Sequence, residues 1–352
     1  MDYAKYGELP DLLSFDDGRA VETADDWRGR RAELLEHLLS IEYGHLPPAP
    51  RATRGQLIYR GRPGSLGGGL WAQYQVSTED EAGSVQFRLD LAWPDRDGPR
   101  PVVINGDGCW RYLTPEVVLA VLGRGYAVAQ FSRVEIVPDI GPPSRSLGLH
   151  GLYGQAFGGL AAWAWGFHRC VDVVGGLAMI DADRIAVNGH SRGGKAALLA
   201  GATDERVALT WANDSGCGGA GCFRIAGPDA EQLPDILRNF PNWFAEGLGA
   251  YIGREDELPF DQHALKAAVA PRLLLTTEAL GDLWANPRGT WATHAAAGRV
   301  YEMLDAGDRI GIAYRQGGHA QTLEDWQAML DFADWHWKGV EPARGFDFCP
   351  FG

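Results

Sequence analysis

A serine in a glycine-rich turn is the residue of this sequence whose surroundings predict chemistry most clearly. Ser191 is the centre of the pentapeptide 189–193 (GHSRG), which has the spacing G-x-S-x-G. Residues 184–188 before it have the apolar character of a short buried strand, and residues 195–201 after it have the alanine and leucine content of a helix. A G-x-S-x-G turn between a strand and a helix is a nucleophile elbow. The sequence therefore predicts that Ser191 is a nucleophile, on a strained turn where glycines avoid the clashes of a Cβ.

An activated serine needs a base that takes its proton. Four histidines follow Ser191 in the chain: His263, His294, His319 and His336. His294 and His336 lie within predicted helices, and His263 lies near the start of one, where a structural hydrogen bond is favoured. His319 comes directly after a predicted strand, in RQGGHAQ, where two glycines allow a tight loop. We therefore predict that His319 is the base.

Two aspartates are candidates for the carboxylate that orients this histidine. Asp214 ends the strand predicted at VALTWAND, and Asp282 follows the next strand, in TTEALGDLW. Both lie at the carboxyl ends of predicted parallel strands, the edge at which open α/β sheets place their sites. The sequence leaves both open. The chain order serine, acid, histidine favours Asp282 as the main acid, with Asp214 in support.

Three further side chains are candidates for holding a reacting group. The backbone N–H of Arg192 directly follows the nucleophile, and its guanidinium can also donate to an oxyanion; the alternative is a surface salt bridge. Lys195 lies one helical turn after Ser191, where it either holds a substrate hydroxyl or is a solvated surface lysine. Trp284, two residues after Asp282, is either a platform for a sugar ring or a core residue.

The pattern of elements predicts what positions these residues. Residues 25–43 have apolar positions at helical spacing, and residues 55–93 alternate as antiparallel strands do. From residue 101 strands and helices alternate, with one long helix expected over 151–175, which predicts a parallel sheet. We therefore expect an α/β-hydrolase three-layer sandwich with a mostly parallel central sheet and antiparallel N-terminal strands. We expect one catalytic domain over 1–352, with the N-terminal helix and antiparallel strands in 1–100 and the parallel core in 101–340.

Composition and charge exclude several kinds of partner. The 352 residues carry a formal net charge of −14, with a pI near 5.1. Nucleic acid or an anionic membrane would require clustered Lys and Arg, so neither is expected as the main partner. No apolar run approaches the roughly 20 residues that span a bilayer, and no basic then apolar leader is seen. The chain as given is expected to be cytoplasmic, or secreted or periplasmic if a signal peptide has been removed.

The cysteine pattern predicts neither a metal site nor a cofactor. The five cysteines form no C-x-x-C pair, so a zinc site is not expected. A disulfide between Cys217 and Cys222, or one that involves Cys170, stays open because spacing alone does not decide pairing.

With these residues in hand, the chain resembles carbohydrate esterase family 15, the glucuronoyl esterases, and in particular their bacterial members. The similar segments are GHSRGGKAALLAGATDERVALTWANDSGCGGAGCFR around the serine, LPFDQHALKAAVAPRLLL, DLWANPRG, and GGHAQTLEDWQAMLDFADWHW around the histidine. The resemblance covers nearly the whole chain. It implies hydrolysis of the ester that joins 4-O-methyl-glucuronic acid on xylan to lignin alcohols.

The resemblance also implies roles for individual residues. Ser191 would be the nucleophile, His319 the base and Arg192 the oxyanion donor, while Lys195, Gln232 and Trp284 would hold the glucuronate ring. Asp214 matches the family's acid, which is usually the longer Glu, and Asp282 matches an alternative acid of some bacterial members.

Two other functions stay open at this point. One is an acetyl-xylan esterase or another carboxylesterase, which would use the same residues on an ester of a sugar hydroxyl. The other is a non-catalytic carbohydrate-binding protein of hydrolase fold. The expected partner is a small-molecule or oligosaccharide uronate ester, and the sequence does not give the oligomeric state.

Overall fold

A nine-stranded mixed sheet forms the centre of the computed structural model, which describes residues 4–5, 7–109, 113–141 and 145–351. The strands are β1 (Ala4–Lys5), β2 (Ala52–Gly61), β3 (Leu70–Glu79), β4 (Gln86–Trp93), β5 (Arg100–Asn105), β6 (Ala127–Phe131), β7 (Ile180–His190), β8 (Leu209–Asn213), β9 (Ile225–Ala226), β10 (Leu273–Ala279) and β11 (Ile310–Arg315). In the large sheet the order is β11-β10-β8-β7-β5-β6-β4-β3-β2, and β1 pairs separately with β9.

The direction of pairing changes at β6. All neighbours from β11 to β6 run parallel, whereas β6, β4, β3 and β2 pair antiparallel. The sequence patterns follow this division. Strand β3 alternates between buried and half-buried residues, as expected when one face of a sheet is covered, while β5 is buried throughout. The predicted mostly parallel sheet with antiparallel N-terminal strands is confirmed.

Helices cover both faces of this sheet. They are α1 (Ala24–His37), α2 (Pro115–Gly123), α3 (Leu149–Tyr153), α4 (Gly159–Val174), α5 (Arg192–Thr203), α6 (Leu233–Asn239), α7 (Gln262–Ala267), α8 (Pro287–Met303) and α9 (Leu323–Lys338). Buried residues of α1, α4, α5, α7 and α8 share one apolar cluster, and those of α2 and α9 share a second cluster. These are the three layers expected of an α/β-hydrolase.

The single helix expected over 151–175 is wrong, because the chain breaks between α3 and α4. Gly154 has a φ of 85°, which ends the first helix. A Cβ at Gly158 would collide with the backbone carbonyl of Trp243, so the chain passes close to another segment there. Glycine allows this approach, and α4 starts only after it.

Strands from both predicted parts of the chain, 1–100 and 101–340, lie in the same sheet. That 1–352 is one domain stays a prediction. Arg31 of α1 joins the N-terminal part to the core, since its guanidinium donates to the carbonyl oxygens of Ala202 at 2.8 Å and Ala268 at 2.7 Å. None of the helices among the described residues has both the length and the apolar character that crossing a bilayer requires.

The carboxyl ends of four parallel strands meet at one edge of the sheet. The register pairs His190 of β7 with Asn213 of β8, and Ala279 of β10 with Arg315 of β11. The loops that begin after these four residues therefore start side by side. Ser191, Asp214, Asp282 and His319 are on these loops, as parallel-sheet geometry predicts.

Candidate active site

The turn between β7 and α5 holds Ser191 in a backbone conformation that few residues adopt. Its φ is 57° and its ψ is −124°, directly before the first residue of α5. A Cβ at Gly189 would collide with the carbonyl group of Gly193, and one at Gly193 would collide with the carboxylate of Asp107. The turn can therefore form only with glycine on both sides of the serine. It points Ser191 away from the sheet at the start of a helix.

A chain of hydrogen bonds runs from Ser191 to an aspartate. The Oγ of Ser191 lies 3.0 Å from Nε2 of His319, and Nδ1 of His319 lies 2.5 Å from Oδ2 of Asp282. Because a carboxylate only accepts, Nδ1 carries the proton and Nε2 is left to accept from the serine. Asp282 is buried, while the side chain of His319 is 42% exposed, so a substrate can reach the imidazole.

Asp214 is close to this chain of hydrogen bonds but has other partners. A carboxylate oxygen of Asp214, a carboxylate oxygen of Asp282 and a ring nitrogen of His319 all lie within 4.8 Å of one another. The Oδ1 of Asp214 accepts from the backbone N–H of Ala279 at 2.7 Å, and Oδ2 accepts from Arg315 at 3.1 Å. Burial raises the pKa of Asp214 to about 7, and the neighbouring Asp282 carboxylate adds to the rise. The hydrogen bond to the histidine thus belongs to Asp282.

Arg192, the residue after the serine, has a fixed side chain. Its Nη1 lies 2.7 Å from Oδ2 of Asp139, and its guanidinium lies over the rings of Phe240 and Trp243, at 4.8 Å and 4.5 Å from their centroids. The two rings stack at 3.9 Å with an angle of 3° between them. Its backbone N–H is at the first position of α5, where no carbonyl of the same helix can accept it. The contact with Asp139 is a salt bridge, as in the alternative role given for Arg192. Only 19% of the Arg192 side chain is exposed, however, so this salt bridge is largely covered.

Lys195 lies one turn further along α5 and is buried. Its Nζ donates to the carbonyl oxygens of Ser215 at 2.5 Å and Cys217 at 2.6 Å, in the loop after β8. Oε2 of Glu231 lies 3.9 Å away. Burial lowers the pKa of Lys195, and the carboxylate of Glu231 opposes that shift. The alternative of a solvated surface lysine is wrong.

The two other predicted substrate contacts lie on neighbouring segments. Gln232 precedes α6 and caps it together with Asp235. Trp284 is 47% exposed, which rules out the alternative of a core residue. The backbone N–H of Glu231 donates to the carbonyl oxygen of Trp284 at 3.0 Å, so the start of α6 and the loop of Asp282 are joined.

Comparison with known proteins places this chain in a family. The family model described as "Glucuronyl esterase, fungi" matches residues 76–305. The 4-O-methyl-glucuronoyl methylesterase of Podospora anserina is 32% identical over 326 residues, which are 89% of this chain and 63% of that protein. The chain belongs to the glucuronoyl esterase family.

Other members of the glucuronoyl esterase family extend the likeness to prokaryotes and to solved structures. The carbohydrate esterase MZ0003 of an unknown prokaryotic organism is 38% identical, with 94% of this chain and 90% of that one covered. The glucuronoyl esterase of Caldicellulosiruptor kristjansonii is 32% identical with a TM-score of 0.84, covering 98% of this chain and 94% of that chain. A mutant of the Sporotrichum thermophile enzyme, in complex with methyl 4-O-methyl-β-D-glucopyranuronate, is 25% identical with a TM-score of 0.80, covering 97% and 91%.

These findings confirm the resemblance and the fold predicted from the sequence. The chain spans somewhat less than two thirds of the length of the Podospora anserina relative and most of the length of the prokaryotic one. The individual roles of the site residues stay predictions in this member of the glucuronoyl esterase family.

The other three histidines that follow Ser191 in this glucuronoyl esterase family member are not part of the hydrogen bonds from the serine to Asp282. Nε2 of His263 lies 2.8 Å from the carbonyl oxygen of Pro10, the structural hydrogen bond that the sequence favours. His294 is buried in α8, where burial lowers its pKa to about 3, and His336 lies on α9. All five cysteines are among the described residues and are free, so neither of the open disulfides is formed.

Sequence reasoning missed several residues that surround the site. Asp139 holds Arg192, Glu231 approaches Lys195, and Arg315 contacts Asp214. The ring of His190 lies 4.5 Å from that of His319. Of these residues, only His190 could have been found from the sequence, since it directly precedes the serine. The others meet the site through contacts between segments far apart in the chain.

Proposed function

We propose that this protein is a serine esterase that hydrolyses esters of glucuronic acid or of its 4-O-methyl derivative. The observation that carries the proposal is the unbroken chain of hydrogen bonds from Ser191 through His319 to Asp282, on an elbow where the serine is only half-buried. This arrangement is that of nucleophile, base and orienting acid. The names of the relatives, which are glucuronoyl esterases, support a uronic acid as the acyl half of the ester.

The proposed reaction has two halves. The Oγ of Ser191 attacks the carboxyl carbon of the uronate ester while Nε2 of His319 takes its proton. The tetrahedral intermediate collapses as the histidine gives that proton to the alcohol oxygen, which leaves, and an acyl-enzyme remains. Water then attacks the acyl-enzyme, gives a proton to His319, and releases the uronic acid as the proton returns to Ser191. Asp282 holds the imidazole and stabilises its charged form.

The oxyanion that forms at each attack needs a donor aimed at it. The backbone N–H of Arg192 is the donor we propose, because it begins α5 beside Ser191 and adds the positive end of the helix dipole. The guanidinium of Arg192 is fixed by Asp139 and by the Phe240 and Trp243 rings. A fixed cation beside the serine stabilises developing negative charge without having to reorganise.

The acyl half of the substrate is proposed to lie among Lys195, Gln232 and Trp284. Trp284 offers an exposed ring next to Asp282, and a sugar can pack on such a face. Lys195 already donates to two carbonyl oxygens of the loop after β8. Lys195 could therefore bind a sugar hydroxyl only through its third N–H group. Otherwise it affects the substrate indirectly, by holding that loop. The alcohol half is proposed to be a lignin-type alcohol esterified to glucuronoxylan.

A pair of substrates separates this proposal from its alternatives. We expect hydrolysis of methyl glucuronate at a higher kcat/KM than of p-nitrophenyl acetate, and loss of both activities in Ser191→Ala by several orders of magnitude. Ser40→Ala, a change of equal size at an exposed position, is the control and should keep both. Preference for acetate esters would instead support an acetyl-xylan or general carboxylesterase. Folded protein that cleaves neither ester would support a non-catalytic binding protein.

The sugar contact is tested by Trp284→Ala. If the indole packs on the uronate ring, its removal lowers kcat/KM for methyl glucuronate by about 10-fold or more and changes that for p-nitrophenyl acetate little, since acetate has no ring. Phe348→Ala, at an aromatic residue that is 68% exposed near the C-terminus, serves as the control. Equal losses on the two substrates would contradict a sugar-binding role for Trp284.

A further inference from the structure

Arg315 is a buried arginine whose contacts surround the histidine loop. It is the last residue of β11, and only 6% of it is exposed. Its Nε donates to Oδ2 of Asp325 at 2.7 Å, and its Nη2 donates to Oδ2 of Asp214 at 3.1 Å. Two carboxylates from separate elements thus meet one guanidinium.

The same guanidinium also binds the backbone on both sides of His319. Nη1 donates to the carbonyl oxygen of Gln316 at 3.1 Å, and Nη2 donates to that of Gly318 at 3.3 Å and to that of Ala320. These three carbonyls belong to residues three before, one before and one after the histidine. The planar fork of an arginine can satisfy acceptors in several directions at once, which a lysine cannot do.

Asp325 closes the other end of the loop. Its Oδ2 accepts from Arg315 and also from the backbone N–H of Thr322 at 2.7 Å, so it caps α9. The seven residues between β11 and α9 are therefore fixed at both ends by one ion pair. A loop tied in this way has few conformations, and a base must be placed to within a fraction of an ångström.

Arg315 also binds Asp214, the second acid that could accept a hydrogen bond from His319. Both carboxylate oxygens of Asp214 have partners, one at Arg315 and one at the N–H of Ala279. Ala279 is three residues before Asp282, so the same carboxylate ties the ends of β8, β10 and β11 together. A carboxylate with both oxygens bonded elsewhere does not reorient toward His319 without breaking a buried charge pair, which is costly.

We propose that Arg315 is a positioning residue for the reaction: it fixes the loop of His319 and holds Asp214 aside, so that Asp282 alone orients the imidazole. The inference rests on the proposed function, because it assigns His319 the role of base. The hydrogen bonds of Arg315 described above go to neither Ser191 nor the proposed substrate contacts Lys195, Gln232 and Trp284. It acts through the histidine loop and through Asp214.

Electrostatics supplies a signature that a purely structural arginine would not have. The charged and titratable groups close to His319 include Asp282 on the β10 loop, Asp214 after β8, His190 at the end of β7, and Arg315, which binds the backbone beside it; Asp325 lies on the far side of Arg315 as its partner. Behind them lies Glu278 of β10, whose pKa burial raises well above its usual value. Removing Arg315 takes a positive charge away from the surroundings of the imidazole and leaves Asp325 without its ion-pair partner. The loss of this positive charge favours protonation of the site, so the acidic limb of the kcat/KM profile should move to higher pH.

The test compares Arg315→Gln with a matched change at an arginine that binds the same helix, α9. Arg124 also binds two aspartates and one carbonyl of α9, namely Asp334 at 2.7 Å, Asp331 at 3.1 Å and Leu330 at 3.3 Å, but it lies away from the site. We expect Arg315→Gln to lower kcat by about 10²-fold, the scale of a misplaced catalytic group, and to shift the acidic limb upward. Arg124→Gln should lower the Tm and leave kcat and the pH profile unchanged.

A lysine at the same position separates charge from geometry. Arg315→Lys keeps the cation but not the fork, so it should return the acidic limb to the wild-type pH while kcat stays low. The proposal would be overturned if folded Arg315→Gln had the kcat and the pH profile of the wild type. If the glutamine variant does not fold, a wild-type kcat in Arg315→Lys would overturn it. In Arg315→Gln, adding Asp214→Asn should recover part of the lost kcat, since it removes the carboxyl group that would be free to compete with Asp282 for the histidine.

A readout without turnover keeps this proposal apart from the proposed function. The imidazole N–H that bonds Asp282 gives a downfield proton resonance, which is assigned by its loss in His319→Gln. We expect Arg315→Gln to shift or broaden this resonance and Arg124→Gln to leave it in place. An unchanged resonance in Arg315→Gln contradicts the positioning role, whatever ester the wild-type protein cleaves. Failure of the wild-type protein to cleave uronate esters contradicts only the proposed function.

Discussion

At the scale of single residues, hydrogen-bond partners decide between two carboxylates that the sequence presents as near equals. Asp214 and Asp282 both follow parallel strands and both lie within reach of His319. Asp282 binds Nδ1 of the imidazole, whereas Asp214 binds Arg315 and the backbone of Ala279. Proximity alone therefore does not identify the acid of the site. What distinguishes the two aspartates is which carboxylate oxygen accepts a hydrogen bond from the histidine.

This difference predicts unequal effects of two matched substitutions. Asp282→Asn replaces the acceptor at Nδ1 by an amide and should lower kcat by about 10³–10⁴-fold, because the imidazole loses its orientation and its compensating charge. Asp214→Asn should lower kcat by about 10-fold or less and should mainly lower the Tm, since it weakens the contact with Arg315. Kinetics on methyl glucuronate, with thermal unfolding of both variants, checks this. Equal losses of kcat would show that the two acids share the role.

At the scale of elements, the elbow depends on how closely β7 and α5 approach each other. A Cβ at Gly189 would collide with the carbonyl group of Gly193, and no flexible side chain can move aside there. The strand-to-helix turn is thus specified by backbone packing as well as by the serine. A short sequence motif is informative here because the constraint is local.

Gly189→Ala tests this element against a glycine that has no such constraint. We expect Gly189→Ala to abolish ester hydrolysis and to lower the Tm strongly, because the backbone of the turn must shift to admit the methyl group. Gly298 lies within α8, and a Cβ there would meet no neighbouring segment within 4 Å, so Gly298→Ala should keep activity and stabilise by about 0.5–1 kcal/mol. Activity and thermal unfolding measured on both variants decide the matter. An active, stable Gly189→Ala protein would contradict the steric account of the elbow.

At the scale of the whole molecule, a buried acid and the tyrosine after it link the N-terminal segment to α7 and to the loop beside the site. Glu42 is fully buried, and both of its carboxylate oxygens accept from Nε2 of Gln262 at 2.9 Å. The neighbouring Tyr43 donates to the carbonyl oxygen of Gly218 at 3.0 Å, in the loop that also receives Lys195. Burial raises the pKa of Glu42 to about 8. The native protein therefore holds a proton there that the unfolded chain releases.

This proton determines whether the free energy of unfolding rises or falls with pH. Between about pH 4.5 and 8 the native state keeps Glu42 protonated and the unfolded state does not, so stability falls as pH rises through this window. One such group contributes a slope of up to about 1.4 kcal/mol per pH unit. Asp214, with its pKa raised to about 7, acts in the same direction over the lower part of the window.

Glu42→Gln removes one of these titrations and should flatten the fall of stability between pH 5 and 8. Urea unfolding at a series of pH values measures the slope directly. Glu302→Gln, at an exposed position of α8, is the control and should leave the slope as in the wild type. The change of slope is the readout, because the amide also alters the hydrogen bond with Gln262 and shifts the absolute stability. A slope in Glu42→Gln equal to that of the wild type would contradict a protonated Glu42.

The sequence by itself determined the features that depend on local backbone constraints. The glycines around Ser191 are required by the turn they form, and the alternation of strands and helices after residue 101 indicates a parallel sheet whose strand ends share one edge. The position of His319 in the loop after β11 follows from the same rule. These features were predicted because each depends on residues close together in the chain.

Only the tertiary structure decided which groups bind one another across the site. Arg315 and Asp214 are 101 residues apart in the chain, Arg192 and Asp139 are 53 apart, and no spacing rule connects such pairs. The burial of Lys195 was decided in the same way, because the loop after β8 folds over a helix face that looks solvent-exposed in the sequence. The hydrogen bonds that separate Asp282 from Asp214 also involve a third residue, since Asp214 binds Arg315 and Asp282 binds His319. A buried charge takes its partner from whatever the packed chain places beside it, and local sequence does not encode that packing.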